Sequence, residues 1–195
     1  MGRRPDRGLV RLAILSDTHG VVDGRILALI ATCDRAVHGG DIGGADVLAS
    51  IRERLAPQPG ALSAVRGNND VPGKWPVHQR QRLQDLPERL EIELPGGRLA
   101  VIHGHQTPAN GRHARLRRLF AESRAIVYGH SHRLVVDQVA EPWVLNPGAA
   151  GRSRTFGGPS CLILTATRLA WHVESHRFDL PPRPRKDSAM KGSAY

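Results

Sequence analysis

Five short packets of metal-ligating side chains, most of them directly behind a short apolar run, constrain this chain more than any other feature. They are Asp17-Thr18-His19, Gly40-Asp41, Gly67-Asn68-Asn69-Asp70, His103-Gly104-His105 and Gly129-His130-Ser131-His132. Carboxylates, imidazoles and an amide supplied from five places can surround cations only if those places converge. One helix cannot supply them, so the fold has to gather several strand ends at one edge.

The apolar pattern predicts which strands these are. Residues 10–16 (VRLAILS) read as a strand ending at Asp17, and residues 24–31 place Ile26, Leu27 and Ile30 at helical spacing. A second strand covers residues 36–38. An amphipathic helix over 45–55 is stopped by Pro57, and a third strand over 62–65 ends at Arg66-Gly67-Asn68. Strand, loop, helix and strand at this spacing predict a partly parallel α/β sheet. Further on, residues 90–94 and 98–102 flank Pro95-Gly96-Gly97, a hairpin signal. A helix over 112–121 and a strand over 125–128 follow. Short runs at 134–139, 143–145, 161–164 and 169–173 then read as an antiparallel set. The expectation is one domain over residues 9–178, built of two packed sheets with helices outside. Residues 1–8 are expected to be a flexible N-terminus, and residues 179–195 a flexible, basic, Pro-rich tail.

Composition narrows the partners. No run of 18 apolar residues is present, and the apolar stretch after the basic N-terminus is short, so a cytoplasmic protein with no membrane partner is expected. Cys33 and Cys161 form neither a C-x-x-C motif nor a disulfide framework, and buried free thiols are expected. The net charge of +10 is mostly Arg and is spread along the chain, as solvated faces and tails are. Aromatic content of 4% leaves few base-stacking platforms, so nucleic acid is the less favoured partner, and the charge favours a phosphate-bearing partner without selecting one. The same scarcity removes any interface signal, so an oligomer is left open.

Each packet alone is a weak signal. Asp17 and His19 are one residue apart and project to the same side of an extended segment. Asp41 follows two glycines, where a carboxylate can bridge two cations, although turn aspartates are common there. Asn68 is an amide, an infrequent metal ligand but a frequent turn residue. Histidine pairs follow two further strands. The weight lies in their ordered set. His78, His113, His172 and His176 lie outside it and read as surface or core histidines.

In that order, from Leu12 to about Arg154, the chain resembles the calcineurin-like metallophosphoesterase superfamily. Asn146-Pro147-Gly148 with Arg152-Ser153-Arg154 resembles a late signature of its small YfcE-like phosphodiesterases. The resemblance implies a four-layer αββα sandwich of two mixed sheets flanked by helices. It implies two divalent metal ions, one held by Asp17, His19, Asp41 and His132, the other by Asp41, Asn68, His103 and His130. Mn²⁺ is expected first, with Fe, Zn²⁺, Ni²⁺ or Co²⁺ as alternatives, because mixed His, Asp and Asn donors disfavour a pure oxygen-ligand ion. The implied reaction is hydrolysis of a small phosphodiester or nucleotide substrate by attack of a metal-bridging hydroxide. Asp41, Asn68 and His105 are the expected catalytic residues. Asn68, His103 and Arg154 are expected at the substrate phosphate, with Arg66 a weaker choice. Many relatives carry a His after the Asn, and this chain has Asn69, which leaves the general acid unassigned. Asp70 is expected either to orient a neighbour or to cap a loop. Two alternatives stand beside the enzyme: a non-catalytic scaffold, as in the retromer subunit of this fold, and a nuclease or nucleotide phosphohydrolase.

Overall fold

The structure is a computed structural model that describes residues 8–180. The expected flexible N-terminus up to residue 7 and the basic tail from residue 181 lie outside the described residues.

The elements follow the apolar pattern closely in the first half. Strand β1 (Leu9–Leu15), helix α1 (Gly24–Ile30), strand β2 (Arg35–His38), helix α2 (Ala45–Arg52) and strand β3 (Leu62–Ala64) alternate. Asp23 caps α1, its Oδ1 accepting from the Arg25 N–H. Gly44 begins α2 without a side chain to cap it, and Gln79 supplies the acceptor from a distance: its Oε1 takes the Ala45 N–H at 2.7 Å. Gln79 closes a single 3-10 turn (Val77–Gln79) that runs into helix α3 (Arg80–Gln84). These turns are too short to show a helical period in sequence. Strands β4 (Arg89–Leu94) and β5 (Gly97–Ile102) form the expected hairpin about Pro95-Gly96, where Gly96 takes φ +84. Helix α4 (Arg112–Leu119) and strands β6 (Ala125–Val127), β7 (Leu134–Asp137), β8 (Trp143–Pro147), β9 (Ser160–Thr167) and β10 (Trp171–Arg177) complete the order.

Ten strands form two mixed sheets, ordered β10-β9-β1-β2-β3 and β4-β5-β6-β8-β7. The four late runs expected as an antiparallel set do pair antiparallel, β7 with β8 and β9 with β10, but in separate sheets. Although β7 pairs antiparallel with β8, strands β5, β6 and β8 run parallel. Strands β9 and β10 leave that sheet altogether, and β9 pairs antiparallel with β1. The segment after β6 makes the packet Gly129–His132 rather than a tight turn, so β7 cannot fold straight back on β6.

Strand alternation builds the layers. Leu12 and Ile14 of β1 join Leu162, Leu164, Leu99, Val101, Val127 and Leu145 in a core between the sheets. Ala13 and Leu15, pointing the other way, pack with Ile26 and Ile30 of α1 and Val47 and Ile51 of α2. On the far face, Ala100, Ile102, Ile126 and Val144 pack on Leu116 of α4. Helices, sheet, sheet and helix make a four-layer αββα sandwich. Cys33 and Cys161 are free and buried in the first helix-facing core, and burial pushes the Cys161 thiol up to about 12.

Candidate metal centre

All five packets emerge from the C-terminal ends of β1, β2, β3, β5 and β6, where parallel strands present one edge. Backbone hydrogen bonds then knit the packets together. Asp17 N–H donates to the Gly40 carbonyl at 2.9 Å, His19 N–H to Asp41 at 3.0 Å, and Gly129 N–H to His103 at 3.0 Å. Glycines permit the approach. A Cβ on Gly67 would stand 2.2 Å from Asp41 Oδ1, and one on Gly129 would stand 2.0 Å from Ser16 Oγ, across the gap between the sheets.

Six non-glycine residues among those described adopt left-handed φ: Asp17, His19, Asp41, His130, His132 and Arg154, at φ between 48 and 65. Each costs on the order of 1 kcal/mol, and such strain persists where the surroundings over-determine it. Five of the six are expected ligands, and the sixth is Arg154.

The donor atoms converge. One ligand atom each from Asp17, His19, Asp41 and His132 lies within 4.8 Å of the others. Asp17 and Asp41 are buried, as is His132. His132 Nδ1 faces the Arg154 carbonyl at 3.2 Å and so carries the proton, leaving the Nε2 lone pair towards Asp17 Oδ1 at 3.2 Å. Arg154 Nη2 can only donate, and it meets His19 Nε2 at 3.0 Å, which makes that nitrogen an acceptor too. The two Nε2 atoms stand 3.3 Å apart, and His19 Nε2 is 3.9 Å from Asp41 Oδ2. Asp17 Oδ1 is buried without a hydrogen-bond partner. Lone pairs pointed at one another around an orphaned carboxylate oxygen fit a cation.

A second group adjoins it. His103 Nδ1 donates to the Gly39 carbonyl at 2.8 Å, aiming Nε2 at Asn68 Oδ1 (3.2 Å) and Asp41 Oδ1 (3.4 Å). His130 Nδ1 lies 3.0 Å from the same amide oxygen. Asp41 thus faces both groups. Its carboxyl is buried, which opposes ionisation, but His103 and the Asn69 donors outweigh this and hold it well below the usual carboxylate range. Burial similarly opposes a charged His103, and the Asp41 and Asp17 carboxylates overcome it, raising its pKa. Burial lowers His19, and burial with His103 lowers His130, keeping both imidazoles neutral and able to ligate.

Among the remaining expected residues, His105 is exposed at the rim, its ring 5.5 Å from His103 and 6.2 Å from His130. Arg66 is not gathered in: it pairs with Glu88 at 2.7 Å. The pattern gave no sign of the role of Asn69 and left that of Asp70 between two alternatives. Asn69 clamps Asp41, its N–H donating to Oδ1 (2.8 Å) and its Nδ2 to Oδ2 (2.5 Å), while the Lys74 ammonium holds the Asn69 amide oxygen. Asp70 accepts from Ile42, Gly43 and Gly67 N–H and from Trp75 Nε1, tying the β2 and β3 loops together. Its loop-capping role is the one observed. For Asn69, its position beside Asn68 is the one signal the sequence carries of the clamp.

Residues 10–168 match the calcineurin-like phosphoesterase superfamily domain. The chain belongs to that superfamily. No curated protein matches it in sequence. Among solved structures it is similar to YfcE, a phosphoesterase from E. coli, at 24% identity and TM-score 0.58, over 80% of this chain and 91% of that one. It is also similar to an archaeal phosphodiesterase at 21% identity and TM-score 0.62, over 85% and 99% of the two chains. Wild-type Vps29 from Entamoeba histolytica, complexed with Zn²⁺, shares 20% identity with TM-score 0.59, over 87% and 98%. As a superfamily member the chain has the metallophosphoesterase fold, and its residues form a cluster suited to a divalent metal.

Proposed function

We propose that this chain is a metal-dependent phosphodiesterase acting on a small phosphodiester or nucleotide in the cytoplasm, with two divalent cations, Mn²⁺ foremost. The observation that carries the reading is the convergence of Asp17, His19, Asp41 and His132 around an unpartnered carboxylate oxygen. Asp17, His19, Asp41 and His132 hold one cation, and Asp41, Asn68, His103 and His130 the other. When bound, the cations polarise the phosphate and lower the pKa of the attacking water. The chain's own residues do the rest. Asn69 fixes both Asp41 oxygens so that the carboxylate can serve both groups. Arg154 reaches the site beside His19 and is suited to draw in phosphate oxygens, with Asn68 and His103 opposite. His105 stands at the rim where a substrate ester would enter. Asn69 has no titratable proton, so it acts by position rather than by proton transfer.

The test is hydrolysis of bis(p-nitrophenyl) phosphate by the Mn²⁺-loaded protein, with elemental analysis after equilibrium dialysis. Asp41→Asn is expected to lower the rate about a hundred- to a thousandfold with its far-UV spectrum unchanged. Wild-type rates in that variant would sink the reading. A second reading is a non-catalytic module of the same fold. Wild-type protein that binds no transition metal at micromolar concentration and hydrolyses nothing would favour it.

A further inference from the structure

Phe156 is the one exposed Phe, Tyr or Trp among the described residues, with half of its surface (50%) open. It lies on the loop between β8 and β9, at the same end of the sheets as the metal centre, since β9 runs antiparallel to β1 and begins where β1 ends. The loop is tethered at both ends. A Cβ on Gly151 would stand 2.3 Å from the Thr18 carbonyl, inside the Asp17-Thr18-His19 packet, and one on Gly158 would stand 1.9 Å from the Phe178 carbonyl. Between those tethers, Arg154 contacts both His19 and His132. Phe156 is two residues further on, about 7 Å of chain at most. The guanidinium of Arg133, the residue after His132, stacks 4.4 Å from the Phe156 ring centre. One ring face therefore rests on a cation, yet half of the residue remains open.

We propose that Phe156 and Arg133 form a stacking subsite that holds a nucleobase of the phosphodiester substrate beside the metal centre. This deepens the phosphodiesterase reading and rests on it. A ring backed by a guanidinium rather than by apolar side chains suits a planar π face more than an aliphatic partner. The neighbouring Arg154 asks for negative charge on the same molecule. Planar face and phosphate together describe a nucleotide. Arg133 and Arg154 come from different loops, so the subsite is held to the metal centre from two sides.

The experiment compares two esters with one leaving group, thymidine 5′-(p-nitrophenyl phosphate) and methyl p-nitrophenyl phosphate, using the full chain loaded with Mn²⁺. Phe156→Ala is expected to lower the ratio of their kcat/KM values about tenfold, through KM for the nucleoside ester, because base stacking contributes that much. Phe156→Trp should keep the wild-type ratio. A ratio within about twofold of wild type in Phe156→Ala would overturn the subsite. If the wild type cleaves neither ester, the phosphodiesterase reading fails, and calorimetry with thymidine 5′-monophosphate and inorganic phosphate decides the subsite separately. About tenfold weaker nucleotide binding in Phe156→Ala, with phosphate binding as the reference, supports it. Equal losses for both ligands, or no nucleotide binding by the wild type, overturn it.

Discussion

Asp41 is the residue on which both ligand groups depend, and its own position depends on two neighbours that bear no metal. Asp70 gathers three backbone N–H groups and an indole N–H from the loops on either side of it. Removing that carboxylate strands buried donors, each unpaired group costing about 1–3 kcal/mol. Asp70→Ala is therefore expected to lose at least about 3 kcal/mol in urea denaturation, and an unchanged midpoint would contradict the role given to it. Asn69 acts more locally. Asn69→Ala should weaken metal binding about 10- to 100-fold in dialysis while leaving the denaturation midpoint near that of the wild type. From sequence the loop-capping role of Asp70 was one of two alternatives, and the clamp by Asn69 was not legible. An Asp or Asn after Gly is a common turn residue, and what distinguishes these two is hydrogen bonding to segments 28 residues away. The convergence of the packets was legible, because each follows an apolar run whose strand pairing brings it to the shared edge.

At the scale of elements, glycines set how near strand ends can come. Gly129 lets the end of β6 meet the end of β1, with Ser16 Oγ at 2.0 Å and Asp17 Oδ2 at 2.7 Å from the position a Cβ would take. Gly129→Ala should push the two ends apart and abolish metal retention, which dialysis with elemental analysis would show. Gly73, by contrast, has nothing within 4 Å of its Cβ position and no left-handed φ. Gly73→Ala should be neutral or stabilising by up to about 1 kcal/mol, through the entropy of the unfolded chain. The strands and the helices α1, α2 and α4 were readable from their periods. The order of β5, β6 and β8 was not, because short buried strands carry no mark of parallel or antiparallel partners. Nor was α3, whose five residues hold a single buried Leu83.

For the whole molecule, buried His38 links stability to pH. Its Nδ1 accepts from Gly40 N–H, so Nε2 donates to Thr18 Oγ1 at 2.9 Å, and Thr18 donates onward to the Ile42 carbonyl. Burial lowers its pKa to about 4, against the ordinary 6.5, with nearby carboxylates opposing. The unfolded chain thus takes up a proton at higher pH than the folded one. The stability tied to neutral His38 is complete above pH 6.5 and falls as pH drops towards 4, by up to about 3 kcal/mol. In metal-free protein, His38→Asn should flatten the fall in denaturation free energy between pH 6.5 and 4.5. Parallel pH profiles for variant and wild type would exclude His38 as the source.

The two sheets bring separate halves of the centre. Asp17, His19, Asp41 and Asn68 follow strands of one, while His103, His130 and His132 follow strands of the other. The central strand β1 also waits for β9, whose residues begin at Ser160. A nascent chain that has left the ribosome only as far as Asn68 would own four of the seven donors and none of the second sheet. A cation that needs all seven donors would in this sense load only after synthesis, and its binding would report that distant halves of the chain have already met.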